Sequence, residues 1–317
     1  MNPINKSLSG RMPWLLFALA SALVSAALRR WQLSSAFEGE AGLPIPGAQA
    51  SVILTCVLVM AAAWFLILAV HQPLSKRPVA PGQAHRWDLV FLDAGDPVYP
   101  ILVVLSAFLA LAAAPFLLKT GIDQWSLYQE ALDARAQNPS VQLPSNNGAL
   151  TIATAVGALL SFLGLLQMGR DGLHAGRRGK GGFSATLPGI SGCIWLMESF
   201  RSHAANPVQW DYAPLLLAIV CGMLLYMDFA GMSTGASRPR RLLWVAAMTL
   251  VMSAAALVSA LAEQTVADSL LLFAQILTAA AVLWRLPPNL ENPPKLKGTP
   301  IPRRPGEASI QEETTDE

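Results

Sequence analysis

Apolar residues in this chain fall into long blocks separated by shorter polar stretches. A block of about 20 apolar residues is the length that crosses roughly 30 Å of hydrocarbon as an α-helix. A membrane β-barrel would instead show segments of about ten residues that alternate in character, and these blocks do not alternate. The pattern predicts eight membrane-spanning helices, at residues 12–28, 49–70, 98–118, 149–168, 184–200, 210–230, 242–262 and 268–285.

Composition agrees with this all-α prediction. The 317 residues are 53% hydrophobic and 13% charged, whereas soluble domains carry about 25% charged residues. We therefore predict one transmembrane helical domain over residues 1–285, a bundle of about eight helices. Residues 286–317 are rich in proline and end in acidic residues, so they are expected to form a disordered cytoplasmic tail that buries no core.

Basic residues are sorted between the two sides of the predicted bundle. With eight spans, 17 of the 22 Lys and Arg residues fall on one side; the other side holds five, which are Arg29, Arg30, Lys119, Arg135 and Arg201. Because basic loops stay in the cytoplasm, both termini are predicted to be cytoplasmic. The sorting also requires the fifth span, residues 184–200, although that segment is short and contains Pro188 and Gly189.

The pair Arg29-Arg30 is the exception to the sorting, because it directly follows the first span on the side with few basic residues. A cleaved signal peptide is the alternative there: Lys6 and Arg11 give a basic N-terminal region, and residues 25–27 resemble a cleavage site. Cleavage would leave seven spans with the same orientation. The apolar stretch is long for a signal peptide, so we predict an uncleaved span.

Two connecting segments suggest surfaces with a function. In the outer loop 119–148, Ile122, Trp125 and Leu132 recur at helical intervals, which predicts a short amphipathic helix on the membrane surface, either a lid or an interfacial linker. The glycine-rich basic loop 169–183 lacks the spacing of a phosphate-binding loop. The basic inner loops and the tail are the surfaces expected to bind a cytoplasmic protein partner, and nothing predicts nucleic-acid binding.

Ionisable residues at the depth of the membrane are candidates for function, because burying charge there is costly. The densest group joins spans five and six and contains Glu198, Arg201, His203 and Asp211. Glu198 and Arg201 share a helix face and can pair, His203 can titrate near neutral pH, and Asp211 suits the start of a helix. The group predicts a binding site for a charged or zwitterionic small molecule, or a proton relay. The alternative is a helical hairpin whose end charges neutralise one another.

The remaining polar residues of the spans and loops are expected to have structural roles. Asp228 is a further binding candidate, although pairing with one of the arginines at 238–241 would make it an anchor. Gln167 and Gln275 are expected to form hydrogen bonds between helices. Asp96, in the inner loop, is expected to be solvated, with contact to a cytoplasmic partner or a cation as the alternative, and Asp268 is expected to face water.

No cofactor, metal site or catalytic residue is predicted. Cys56, Cys193 and Cys221 lie within apolar blocks, and no spacing among them or among the four His residues suits a metal. The spacings of metalloproteases and of serine hydrolases are also absent.

Residues 192–207, GCIWLMESFRSHAANP, are followed by Tyr212 and by Leu-Leu-Ala at 216–218. This stretch resembles uncharacterised multi-spanning membrane proteins of gut Firmicutes, in which an apolar span, an R-x-H-A-x-x-P turn and a following Tyr recur. The resemblance covers spans five to seven. It implies a bacterial plasma-membrane protein, and it brings no known activity.

Three classes of function remain open at this point. The preferred one is a small-solute transporter or a transport-associated subunit, because helical membrane bundles without soluble domains are often transporters. The second is a membrane partner or regulator that binds another protein through its basic loops or tail. The third and least favoured is a membrane-embedded enzyme.

Overall fold

The computed structural model describes residues 3–37, 45–74, 96–140, 142–144, 146–173, 181–203, 209–234 and 238–291 of the chain. These residues are almost entirely helical and form no β-sheet, so the all-α prediction is confirmed. The helices are α1 Pro3–Ser35, α2 Gln49–His71, α3 Val98–Gln137, α4 Gly148–Leu173, α5 Gly181–Ser184, α6 Thr186–His203, α7 Gln209–Thr234, α8 Pro239–Ala262 and α9 Val266–Glu291.

Seven of these helices are long and apolar enough to cross a membrane, with mean hydropathies of 1.3 to 2.8. They are α1 from Trp14 onward, α2, α3, α4, α7, α8 and α9. Each coincides with one of the predicted spans. The chain is therefore a multi-pass membrane protein.

The fifth predicted span corresponds to α6, which differs from the other seven. It has 18 residues and is separated by one residue from the four-residue helix α5. Glu198, Arg201 and His203 occupy its last two turns, so α6 is less apolar than the seven candidate spans. It nevertheless packs between α4 and α7. About eight spans were expected, and the described residues contain seven apolar ones and this shorter, more polar helix.

The centre of the bundle is α8, whose apolar stretch is 72% buried, and the periphery includes α2, whose apolar stretch is 17% buried. α8 contacts α1, α2, α7 and α9. Its surface consists largely of small residues such as Ala246, Ala255 and Ala256, all of them buried. Small side chains let neighbouring helices approach closely, which is how membrane helices gain contact without a hydrophobic driving force.

Five helices form a closed ring beside α8. In order around the ring, α3 contacts α4, α4 contacts α6, α6 contacts α7, and both α7 and α3 contact α9. Glycines bring α3 and α4 together at both ends: a Cβ on Gly148 would lie 2.7 Å from the Gly121 carbonyl oxygen, and a Cβ on Gly172 would lie 2.8 Å from the Tyr99 ring. This close packing fixes the part of the ring that α3 and α4 form.

Two predicted boundaries are corrected by the structure. The amphipathic segment after residue 118 is helical, but it continues α3 without interruption to Gln137 instead of forming a separate helix. Residues 286–291, predicted to belong to the disordered tail, are instead helical, because α9 continues through Pro287 and Pro288 to Glu291. Leu286 and Leu290 are buried there, so packing holds a proline-containing turn that composition alone assigns to the tail. Residues 292–317 lie outside the described part of the chain.

Arg29 and Arg30, the exception in the charge pattern, occupy different environments. Arg29 is completely buried, and Arg30 is exposed. The Arg29 guanidinium donates hydrogen bonds to Ser259 Oγ on α8 at 2.8 Å and to Gln32 Oε1 on α1 at 2.7 Å. Arg29 is therefore part of the bundle interior and not part of a loop.

Candidate functional site

The five helices of the ring line a small cavity of about 40 Å³. Hydroxyl, amide and aromatic groups contribute to its wall, and they come from four of the five helices; these residues are Thr154 and Ser161 on α4, Ser191 and Trp195 on α6, Tyr226 on α7, and Gln275 on α9. Apolar residues such as Ala110 on α3 and Leu271 on α9 fill the rest of the wall. A cavity in a membrane bundle with a few polar groups in a mainly apolar wall is a place where a small polar molecule can bind.

Hydrogen bonds hold the polar wall in place. Ser191 Oγ lies 2.6 Å from the Gly157 carbonyl of α4, and the Tyr226 hydroxyl donates to Thr278 Oγ1 at 3.4 Å. Gln275 Oε1 accepts a hydrogen bond from Ser253 Oγ of α8 at 3.0 Å. The expected interhelical role of Gln275 is therefore confirmed, whereas Gln167 donates to Asp171 within its own helix at 2.9 Å.

Two carboxylates lie at one end of this cavity, which we call the Glu198 end. The Trp195 indole, part of the cavity wall, donates to Asp268 Oδ1 at 3.0 Å. Glu198 lies three residues further along α6, on the same face, and the Thr151 hydroxyl is 3.3 Å from its Oε1. The two carboxylates are close enough to repel each other. Asp268, predicted to face water, is instead a partly buried part of this cluster.

Thr151 connects the cluster to α3. Its hydroxyl is 3.1 Å from Gln124 Oε1 and 3.2 Å from the Asn147 carbonyl, besides its contact with Glu198. Gln124 lies in the part of α3 that was predicted to lie on the membrane surface. One hydroxyl thus joins α3, α4 and α6 at the Glu198 end.

His203 also belongs to this end of the bundle. Its ring stacks on Tyr212 of α7 with centroids 5.1 Å apart, and its Nδ1 lies 2.7 Å from the Ser199 carbonyl oxygen. The imidazole lies near the Glu198 and Asp268 carboxyl groups, and it lines a second small pocket together with Ser259 and Glu263. The structure therefore brings Glu198 and His203 together, as the sequence pattern suggested.

The other candidates lie apart from the cavity. Arg201 is exposed, and within the described residues it forms no ion pair with Glu198. Asp211 lies in the first turn of α7, and its side chain is outside the described part of the structure. Asp228 pairs with Arg241 at the opposite end of the bundle, with Arg241 Nε 3.0 Å from Asp228 Oδ2. The anchoring role proposed for Asp228 fits this geometry better than a binding role.

The opposite end, which we call the Asp96 end, contains a cluster that sequence reasoning did not identify. Arg285 NH1 lies 3.4 Å from Asp96 Oδ2, and the Trp284 indole donates to the same oxygen at 2.8 Å. Asp96 was expected to be solvated, yet its side chain is only 9% exposed and that of Arg285 is 0% exposed. A periodic signal exists in the sequence, because Asp268, Gln275, Thr278 and Arg285 follow one face of α9.

Metal and disulfide chemistry find no support in the described residues. No group of three or more His, Cys, Asp and Glu side chains comes together there as a metal site. All three cysteines are free thiols, so Cys193 and Cys221 are not paired. The basic loops proposed to bind a partner lie mostly in segments 75–95 and 174–180, outside the described residues.

Comparisons of the chain with protein-family models, with curated proteins and with solved structures find no match. The resemblance to multi-spanning proteins of gut Firmicutes therefore stays an expectation, and the function must be argued from the geometry of the site.

Proposed function

We propose that the chain is a small-solute transporter whose pathway runs through the ring of α3, α4, α6, α7 and α9. The observation that carries the proposal is the cavity lined by this ring, which has several polar groups in its wall, with Trp195 joining that wall to the carboxylate pair at the Glu198 end. Polar groups inside a membrane bundle are costly to keep, and they commonly mark the pathways of substrates and ions.

The chemistry of the wall favours a small polar solute. Thr154, Ser161, Ser191 and Gln275 supply neutral hydrogen-bonding groups, and Trp195 adds an aromatic face. Glu198 and Asp268 lie beyond Trp195 at one end of the cavity, where carboxyl groups can pair with a cationic group of a solute. Few precisely placed polar groups in a mainly apolar wall are typical of small-molecule sites.

The size of the cavity implies that the ring must open for a solute to enter. To hold one water molecule, a cavity needs about 10–15 Å³ of space that the centre of a water-sized sphere can reach. By the same measure this cavity has about 40 Å³, so it holds only a few waters. We therefore assign the structure to a contracted state of the proposed transport cycle, in which the cavity is too small for the solute.

The segment that moves in this proposal is α5–α6. It is broken at Ala185 and carries Pro188 and Gly192 in the cavity wall. Discontinuous helices recur in transporters, where their breaks lie beside the substrate. The α5–α6 segment packs closely on α4 at Gly157 and Gly164, and at Gly164 only the absence of a side chain allows the contact.

Cysteine accessibility tests the proposal directly. In a background with Cys56, Cys193 and Cys221 replaced, we expect Ser161→Cys and Ser191→Cys to react with a membrane-impermeant thiol reagent applied to vesicles. The matched control is Leu159→Cys, on the same helix but 44% exposed on its outer surface, where lipid excludes the reagent. Alternating access opens the cavity to one side of the membrane and then to the other. Cavity cysteines are therefore expected to react at least tenfold faster than this control whether the reagent is applied to one side or to the other.

A transported solute would also protect these cysteines. Labelling in the presence of pooled amino acids, sugars and organic cations identifies the solute that slows it, and uptake of that solute into proteoliposomes then confirms transport. Cavity cysteines as unreactive as Leu159→Cys from both sides of the membrane would exclude a transport pathway here.

We also propose that both termini are cytoplasmic and that the membrane is the bacterial plasma membrane. The charge sorting of 17 to five supports this orientation. The burial of Arg29 strengthens it, because a buried arginine within the bundle is not part of an outer loop.

A further inference from the structure

Beyond the cavity, toward the Asp96 end, three helices of the ring close together. Leu165 is the α4 residue of the cavity wall nearest this end, and two turns further along α4 Gly172 lies against the Tyr99 ring of α3. Tyr99 is 1% exposed and is near enough to Arg285 of α9 to interact with its charge. Tyr99, Gly172 and Arg285 therefore form one layer that joins α3, α4 and α9 beyond this end of the cavity.

The Asp96–Arg285 ion pair joins two helices of the ring next to this layer. Asp96 Oδ1 accepts a hydrogen bond from the Val98 amide at 3.0 Å, which ties the carboxylate to the start of α3. Asp96 Oδ2 contacts both Arg285 and the Trp284 indole, which ties the same carboxylate to the end of α9. The Arg285 guanidinium also lies 3.4 Å from the Asp96 carbonyl oxygen. One residue thus connects two helices of the ring at its closed end.

A buried ion pair suits a gate better than it suits an anchor. Its attraction is largely offset by the cost of removing both charges from water, so its net contribution to stability is small. The same pair separates readily once water reaches it, because both ions are then solvated. Apolar side chains that separate in water gain no comparable solvation, so an apolar contact does not open as readily.

We propose that the Asp96–Arg285 pair, capped by Trp284 and Tyr99, is the gate that closes the cavity at the Asp96 end. The solute-gating role rests on the proposed transport function, while the barrier itself can be tested without any solute. Opening separates the end of α9 from the start of α3 and exposes the layer at Gly172.

The test measures labelling of Ser161→Cys by an impermeant thiol reagent applied only from the Asp96 side. In the otherwise cysteine-free full chain in membrane vesicles, Asp96→Asn is expected to raise the labelling rate at least tenfold. The matched control is Asp228→Asn, which removes a second ion pair at this end, Asp228–Arg241, without touching the layer. The control is expected to leave the rate unchanged.

Several outcomes overturn the gate. An unchanged rate in Asp96→Asn does so, and so does an equal rise in Asp228→Asn. If the lipid-facing Leu159→Cys also becomes reactive in Asp96→Asn, that variant has unfolded, and Trp284→Phe replaces it in the test. A higher labelling rate in Trp284→Phe at Ser161→Cys, but not at Leu159→Cys, supports the gate. An unchanged labelling rate at Ser161→Cys contradicts it. Labelling from the Glu198 side reports the transport pathway separately, so a failed pathway and a failed gate give different results.

Discussion

At the scale of single residues, Arg29 and Arg30 show how strongly context decides the role of a side chain. The two are identical in type and adjacent in sequence, yet one is fully buried and the other is exposed. Arg29 tolerates burial because Ser259 and Gln32 accept its hydrogen bonds. A charge inside a bundle persists only where such partners surround it.

Replacing each arginine by alanine is expected to give unequal losses of stability. Arg29→Ala leaves the buried polar groups of Ser259 and Gln32 without their partner and opens a cavity, which costs about 2–5 kcal/mol, as for other large-to-small substitutions in a core. Arg30→Ala, the matched control, changes stability by roughly 0.5 kcal/mol or less. Thermal unfolding of the purified variants in detergent measures both. Equal midpoints would contradict the burial of Arg29.

The site residues that sequence reasoning missed have partners far away in the chain. Glu198 and His203 stand out because they are close together in sequence and polar within an apolar region. Asp268 accepts a hydrogen bond from Trp195, 73 residues away in the sequence, and Asp96 accepts one from Trp284, 188 residues away. Such pairs depend on which helices are neighbours, and the periodicity of one chain carries no information about that.

At the scale of helices, the contact between α4 and α6 depends on two glycines with different surroundings. A Cβ on Gly164 would lie 2.5 Å from the Ser184 carbonyl oxygen and 2.8 Å from Pro188 Cδ, and neither backbone nor proline ring can yield. A Cβ on Gly157 would lie 3.3 Å from Ser191 Cβ, where a small shift is enough. The two positions are seven residues apart and lie on the same face of α4.

The same substitution at these two glycines is therefore expected to differ in effect. Gly164→Ala should be less stable than Gly157→Ala by about 1–3 kcal/mol, the usual cost of overpacking. Both variants share the higher helix propensity of alanine, so the difference isolates the helix contact. Unfolding midpoints in detergent measure it, and a less stable Gly157→Ala would contradict this packing of α5–α6 on α4.

The spans were predictable from the sequence, and the limits of two helices were not. Seven apolar helices follow directly from the length and hydropathy of the blocks. The continuation of α3 to Gln137 was missed because the polar residues after the apolar stretch were interpreted as the end of the helix. An α-helix can continue from an apolar into a polar stretch without a break. The last turn of α9 was missed because Pro287 and Pro288 usually end helices, whereas burial of Leu286 and Leu290 stabilises this turn.

At the scale of the whole molecule, the sorting of basic residues and the burial of Arg29 together predict how the bundle is oriented in the membrane. If the bundle lies with its Asp96 end in the cytoplasm, alkaline phosphatase fused after Gln137 is expected to be active, because it folds outside the cytoplasm. The same enzyme fused after Thr234 or after Glu317 is expected to be inactive. Activity measured in intact bacteria distinguishes these cases. The reverse pattern of activities would contradict the orientation and would place the termini outside.

The length of α3 has a practical consequence for imaging this protein. Its 40 residues correspond to about 60 Å of helix at 1.5 Å per residue, while a bilayer with its headgroups is about 40–45 Å thick. The end near Gln137 therefore projects beyond a detergent micelle that would otherwise hide most of a 33.8 kDa particle. A soluble helical protein joined there in continuous register would turn with the bundle and serve as a marker for aligning electron micrographs.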